Sequence, residues 1–219
     1  MSFLDMKGVS YTYPGWPAVV HRVDWDIAQG EFHCLVGRSG CGKTTLLKLA
    51  AGLLQPDEGA VTLQGVPVRK PGPQLGFVFQ SPTLLEWLTV IDNVLLPVSI
   101  QRTPTATEVN RARQLLELMG LVAFHDHYPR QLSGGQQSRV AIARALILEP
   151  AILLMDEPFG ALDALTREEL QEDRRPMSRV PHAKVPLVPH AIPAPVYRAA
   201  RVALMQRGSV PRGAAAAGP

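Results

Sequence analysis

The rhythm of apolar and polar positions changes three times along the chain. Over residues 3–28, short apolar stretches alternate with polar residues and turn signals such as Pro14-Gly15, which predicts a small β layer. FHCLV (32–36) then reads as a buried strand. It is followed by TLLKLAAGLL (45–54), where Leu46, Leu47, Ala50, Leu53 and Leu54 fall at helical spacing on one side. Residues 59–68 have the pattern of a hairpin or strand pair, and LGFVFQ (75–80) that of a second buried strand ending on the amide of Gln80. From 81 to 149 the period becomes helical. Thr105 and Glu108 have capping-box spacing, Val109, Ala112, Leu115, Leu116 and Met119 form a stripe, and Gly120 ends it. Ser133 and Gln136 repeat that spacing ahead of an apolar-periodic run closed by Pro150, and AILLM (151–155) predicts one more buried strand.

The chemistry concentrates at the turn between the first buried strand and the first helix. GRSGCGKTT (37–45) contains G-x-x-x-x-G-K-[ST], from Gly37 through Gly42, Lys43 and Thr44. Its glycines let several backbone N–H groups converge on phosphate oxygens, Lys43 adds a point charge, and the Thr44 hydroxyl suits Mg²⁺. The strand before it and the helix after it are the flanks the motif requires, and the helix N-terminus favours an anion. This stretch predicts a bound nucleoside triphosphate.

Other candidates depend on this one. The strand 151–155 delivers Asp156 and Glu157 to its carboxyl end, where a carboxylate beside a phosphate loop suits Mg²⁺ and a second carboxylate suits an attacking water; an isolated Asp-Glu pair would simply solvate a strand end. Gln80 stands at a strand end, where side chains of α/β proteins act. The Ser133-Gly134-Gly135 helix start is, by spacing alone, either an ordinary cap or a second anion site. Tyr13 is either a stacking platform for a nucleobase or strand packing.

Composition narrows the picture further. No run approaches the roughly 18 apolar residues of a membrane span, and no signal peptide is evident, so a soluble cytoplasmic chain is expected. Cys34 and Cys41 lack metal-ligand spacing and read as reduced thiols, with Cys41 in the phosphate loop open to alkylation. The net charge of +3 is asymmetric: from Arg174 onward there are eight Arg or Lys and no acid, and eight of the 20 prolines lie from Pro176 onward. This basic end lacks aromatic interleaving beyond Tyr197, which argues against nucleic-acid binding. His125, Asp126 and His127 read as a solvated turn, and His21, His33 and His182 have no partner pattern.

Taken together, GRSGCGKTT, Gln80, LSGGQ (132–136), LLMDEP and ALD (161–163) resemble the nucleotide-binding subunit of an ATP-binding cassette transporter, closely over residues 3–173 and loosely to about 210. FVFQSPTLLEWLTVIDNVLLP and MDEPFGALDALTREEL most resemble importer subunits of the nitrate, sulfonate and taurine type. The resemblance implies an α/β fold: a phosphate-loop NTPase (RecA-like) core with an N-terminal antiparallel β subdomain and an inserted α-helical subdomain. It implies one cassette ATPase domain over 1–210, with 1–80 and 150–210 as the core and β subdomain, 81–149 as the helical subdomain, and 211–219 a disordered tail.

It also implies roles. Tyr13 stacks on adenine; Gly37, Arg38, Ser39, Gly40, Cys41, Gly42, Lys43, Thr44 and Thr45 hold the phosphates; Thr44, Gln80 and Asp156 serve the Mg²⁺. Glu157 is the catalytic base, with Gln80 and His190 positioning the attacking water. Ser133, Gly134, Gly135 and Gln136 reach the γ-phosphate of ATP held by the other subunit of a head-to-tail dimer, and Asp163 lies across the same interface. The implied partners are a second cassette, two integral membrane permease subunits and, indirectly, an extracytoplasmic solute-binding protein, with no nucleic acid. The implied place is the cytoplasmic face of the membrane.

The C-terminal region departs from this pattern. The helix from about Asp163 meets Pro176, and His190 is flanked by Pro189 and Ala191 where the family has threonine and aspartate. Proline donates no hydrogen bond to a sheet ladder, so Pro186 and Pro189 in an interior strand would each remove a donor. Two alternatives follow: a nucleotide-binding module with impaired hydrolysis, and a cassette ATPase acting on nucleic acid or ribosomes, which a single cassette without long inserts disfavours.

Overall fold

The computed structural model describes residues 2–31, 33–156, 187–188 and 201–205. An antiparallel sheet gathers β1 (Ser2–Tyr11), β2 (Val20–Ala28), β4 (Glu58–Leu63) and β5 (Val66–Pro67) in the order β2-β1-β4-β5. Its alternation is the one the sequence predicts, with Leu4, Met6, Val9, Val23, Trp25 and Ile27 buried and polar neighbours pointing away.

A parallel sheet joins β6 (Leu75–Val78), β7 (Ile152–Asp156), β8 (Leu187–Val188), β3 (His33–Gly37) and β9 (Arg201–Met205) in the order β6-β7-β8-β3-β9. β7 is buried throughout, as a parallel strand covered on both faces must be. Its side chains alternate between two cores. Ile152 and Leu154 join the first, formed by the antiparallel sheet, Leu35 and α1 (Lys43–Ala50). Leu153 and Met155 join the second, formed by α2 (Val90–Ser99), α3 (Ala106–Leu118) and α4 (Gly134–Leu146). A wholly buried leucine of this kind stabilises the fold by about 1.5–3 kcal/mol, so β7 binds the two cores through their apolar surface.

Local boundaries refine the sequence reading. The first helix begins at Lys43, directly after the phosphate loop, and stops at Ala50 rather than Leu54. Gly52 (φ +71) takes the left-handed turn, Gly52 N–H donates to Leu49 and Leu53 N–H to Lys48, the two bonds of a Schellman ending. Leu53 is consequently 40% exposed instead of belonging to the apolar stripe. β6 ends at Val78, two residues before Gln80. α3 and α4 carry the capping boxes the sequence predicts, from Thr105 and Glu108 and from Ser133 and Gln136. β8 occupies an interior place, Leu187 registering with Cys34 on one side and Met155 on the other; Pro186 and Pro189 lie outside the described residues.

Candidate functional site

The phosphate loop follows β3 and is shaped by close approach. A Cβ on Gly37 would stand 2.5 Å from the Met205 carbonyl oxygen and 2.7 Å from Cys41 Sγ. Gly42, the residue before α1, has φ +104, and a Cβ there would meet the Val19 carbonyl oxygen at 2.8 Å. Only glycine fits either position. Lys43 is buried, and its ammonium donates to the carbonyls of Gly37 (2.8 Å) and Arg38 (3.2 Å), so the loop's own backbone wraps the cation. No side chain caps α1, and its first turn holds no acid. The N-terminal N–H groups have no partner within the helix, an arrangement that suits an anion.

β7 brings Asp156 to this loop. The side chain is buried, and burial pushes its carboxyl above the usual aspartate range, while a hydrogen bond from the Thr44 hydroxyl and the charges of Lys48 and Lys43 pull it back. Sequence reasoning missed Lys48, which sits one helical turn beyond Thr44. A buried carboxylate beside a hydroxyl is a hard-oxygen donor pair that a small divalent cation suits. Residues 44 and 156 therefore fit Mg²⁺.

Gln80 follows β6, whose Val78 registers with Met155, so it emerges at the same carboxyl edge of the sheet as Asp156. Tyr13, in the loop between β1 and β2, is half-buried; its ring meets Tyr11 edge-on at 4.9 Å between centroids, and its hydroxyl lies 3.4 Å from Thr45 Oγ1. The aromatic is thereby held beside the phosphate loop.

Ser133–Gln136 are elsewhere. They open α4 in the second core, whereas the phosphate loop belongs to the first. Ser133 Oγ accepts from Gln136 N–H (3.2 Å), and Ser133 N–H donates to Gln136 Oε1 (2.8 Å). Ser133 and Gly134 are exposed. Glu157, Asp163 and His190 lie outside the described residues.

Two expectations are corrected. Cys41 is buried, 4% exposed, because its sulfur fills the space beside Gly37; the thiol is closed to alkylation without any bound nucleotide. His33 has partners. It is buried, accepts at Nδ1 from Trp25 Nε1 (3.1 Å) and donates from Nε2 to Glu31 (2.9 Å), which ties β2 to the strand that carries the phosphate loop. Sequence reasoning also missed the polar residues that organise the segment after Gln80. Asn93 is wholly buried, its amide donating to the carbonyls of Leu85, Leu88 and Thr89 and accepting from Leu85 N–H. Arg144 bonds to Pro82 and Thr83.

Comparison with known proteins agrees with this geometry. The family described as ABC transporter matches residues 20–160. The chain is 43% identical over 207 residues to the nitrate import ATP-binding protein of Synechococcus elongatus, covering 93% of this chain and 76% of the relative. It is 43% identical over 209 residues to the taurine import ATP-binding protein of Mesorhizobium japonicum, covering 95% and 81%. Among solved structures, the dimeric ATP-binding cassette MJ0796 in a post-hydrolysis state with ADP and Pi superposes with a TM-score of 0.83 at 33% identity, over 95% of this chain and 97% of that one.

Proposed function

Because the chain belongs to the ABC transporter family, as an ATP-binding domain that hydrolyses ATP, we propose that it energises an importer of nitrate-, sulfonate- or taurine-like solutes. The observation that carries the reading is the buried Asp156 carboxylate held against Thr44, next to a Lys43 wrapped by the phosphate loop.

Residues 37–45 bind the triphosphate through backbone N–H groups and Lys43, and Tyr13 stacks on the base. Thr44, Asp156 and Gln80 would hold Mg²⁺, which would supply positive charge against the phosphates. Glu157 accepts the proton of the attacking water on its carboxylate, while Gln80 and His190 orient that water. Ser133, Gly134, Gly135 and Gln136 complete the site of a second cassette packed head-to-tail, with Asp163 at the same interface. The dimeric form of the MJ0796 cassette supports that assembly.

The working complex has two cassettes on the cytoplasmic side, two membrane permeases and a solute-binding protein beyond them. No described helix is long and apolar enough to cross a membrane, which is consistent with peripheral attachment. We divide the chain at 81 and 149, the intervening helices forming the unit that faces the permeases, with 211–219 outside the domain.

The test is steady-state Mg-ATP hydrolysis across protein concentrations, with Glu157→Gln as the blank. Turnover above the blank that rises faster than linearly with protein supports a composite dimeric site. Turnover no greater than the blank, with nucleotide still bound, overturns the assignment of Glu157 and His190.

A further inference from the structure

Thr83 has φ +47, a left-handed backbone that a β-branched residue rarely adopts. One guanidinium surrounds it. Arg144 Nη1 donates to the Thr83 carbonyl (2.8 Å), and Nη2 donates to the Pro82 carbonyl (2.7 Å) and to Thr83 Oγ1 (3.0 Å). These are charge-assisted bonds from a planar fork, a geometry that lysine cannot reproduce. Three residues upstream of Thr83 is Gln80, and downstream Asn93 fixes residues 85–89 through four hydrogen bonds. The segment after Gln80 is therefore anchored at both ends, and the anchor next to Gln80 is the strained one.

Arg144 is also near the end of α4, the helix that begins at Ser133. Eleven residues separate them, about 16 Å along the axis at 1.5 Å per residue. One rigid element thus presents Ser133 at one end and grips the backbone beside Gln80 at the other.

We propose that Arg144 is a positioning residue for Gln80: by holding Thr83 in its left-handed conformation it sets where the Gln80 amide emerges beside Asp156, and it makes that position follow the orientation of α4. The inference rests on the role given to Gln80 above. Arg144 spends its guanidinium on Pro82 and Thr83, so its loss is expected to displace a catalytic group rather than to remove a binding contact.

The experiment uses the full-length chain and measures kcat and KM for Mg-ATP, with turnover normalised to bound nucleotide so that unfolded protein does not count. Arg144→Lys is expected to lower kcat about ten-fold, the scale of a sub-ångström to ångström misplacement, with KM within about two-fold. Thr83→Gly alone is expected near wild type, since glycine adopts positive φ freely. The decisive variant is the double substitution Arg144→Lys with Thr83→Gly, which is expected to regain at least about three-fold in kcat because glycine enters the left-handed conformation without strain and so depends less on the clamp. Gln80→Ala is run alongside. If Gln80→Ala lowers kcat and Arg144→Lys does not, or the double substitution regains nothing, the positioning role is overturned and the Gln80 assignment stands. If Gln80→Ala leaves kcat unchanged, the Gln80 assignment fails and takes the proposal with it.

Discussion

Two glycine-rich helix starts, at α1 and at α4, look alike in sequence and are built in opposite ways. α1 has no side-chain cap from Gly42, so its first N–H groups have no partner within the helix, and a buried lysine lies against the loop behind them. α4 is closed by its own residues, Ser133 and Gln136 satisfying each other's backbone donors in a capping box. The first is ready for phosphate as it stands. The second must exchange an internal hydrogen bond for an external one if it is to meet a partner subunit's nucleotide, as the proposed role requires. α3 supplies a benchmark, because Thr105 and Glu108 form the same box on a surface helix with no chemistry assigned to it.

The largest effect should come from the open start. Lys43→Ala is expected to weaken ATP binding by about 2–3 kcal/mol, on the order of 100-fold, the worth of charged hydrogen bonds to phosphate. Titration calorimetry with ATP measures it, and a loss under ten-fold would mean that the backbone nest alone holds the phosphates.

Asp156→Asn should next remove most of the affinity that Mg²⁺ adds to nucleotide binding, seen by titrating nucleotide with and without the metal. The same substitution carries a pH signature. The carboxyl is pushed up in the folded protein chiefly by burial, so the native state binds more protons than the unfolded one between the two pKa values, and stability falls as pH rises through that window. The metal-free Asn variant should therefore melt above wild type at neutral pH, the gap closing in acid, as a pH series of thermal melts would show.

Closed starts are separated by a smaller comparison. Ser133→Ala and Thr105→Ala should each destabilise the protein by about 1 kcal/mol in urea melts, the ordinary worth of an N-cap. Only Ser133→Ala should also reduce turnover; equal turnover in the two variants would make the α4 box a cap and nothing more. Smallest of all, Glu108→Gln should flatten the acid limb of stability. Its side-chain hydrogen bonds with Arg102, and that of Thr105 N–H, hold the Glu108 pKa down to about 2. Its contribution is therefore full above the ordinary glutamate range and disappears as pH falls towards 2, a loss that the variant lacks in an acid denaturation series.

Legibility followed locality. The phosphate loop, both capping boxes and the Gly120 helix end rest on neighbours within a few positions, and the sequence displayed them without help. The nearness of Thr44 to Asp156 spans 112 residues and was expected from the resemblance and the usual logic of strand ends. The Arg144 clamp was invisible for two physical reasons: its acceptors are 61 and 62 positions away, and nothing in the letters shows that Thr83 takes positive φ. Cys41 was misread because exposure in a loop depends on what fills the loop, here the gap left by a missing Cβ at Gly37. Glu157 was proposed from its place after a buried strand beside a phosphate loop, Asp163 and His190 only from the resemblance, and all three lie outside the described residues.

The neighbours of β3 set a timetable for synthesis. The antiparallel ladder of β1, β2 and β4 closes within the first 63 residues, but His33–Gly37 pairs with Leu187 and with Arg201–Met205, and the Met205 carbonyl walls the Gly37 side of the loop. At roughly 5–20 residues per second, translation from His33 to Arg201 takes on the order of ten to thirty seconds. For that interval the nascent chain carries a finished β layer and an apolar central strand without its lasting neighbours. The wall of the phosphate loop is complete only once Met205 has been made, and nucleotide binding can assist folding only from that point on.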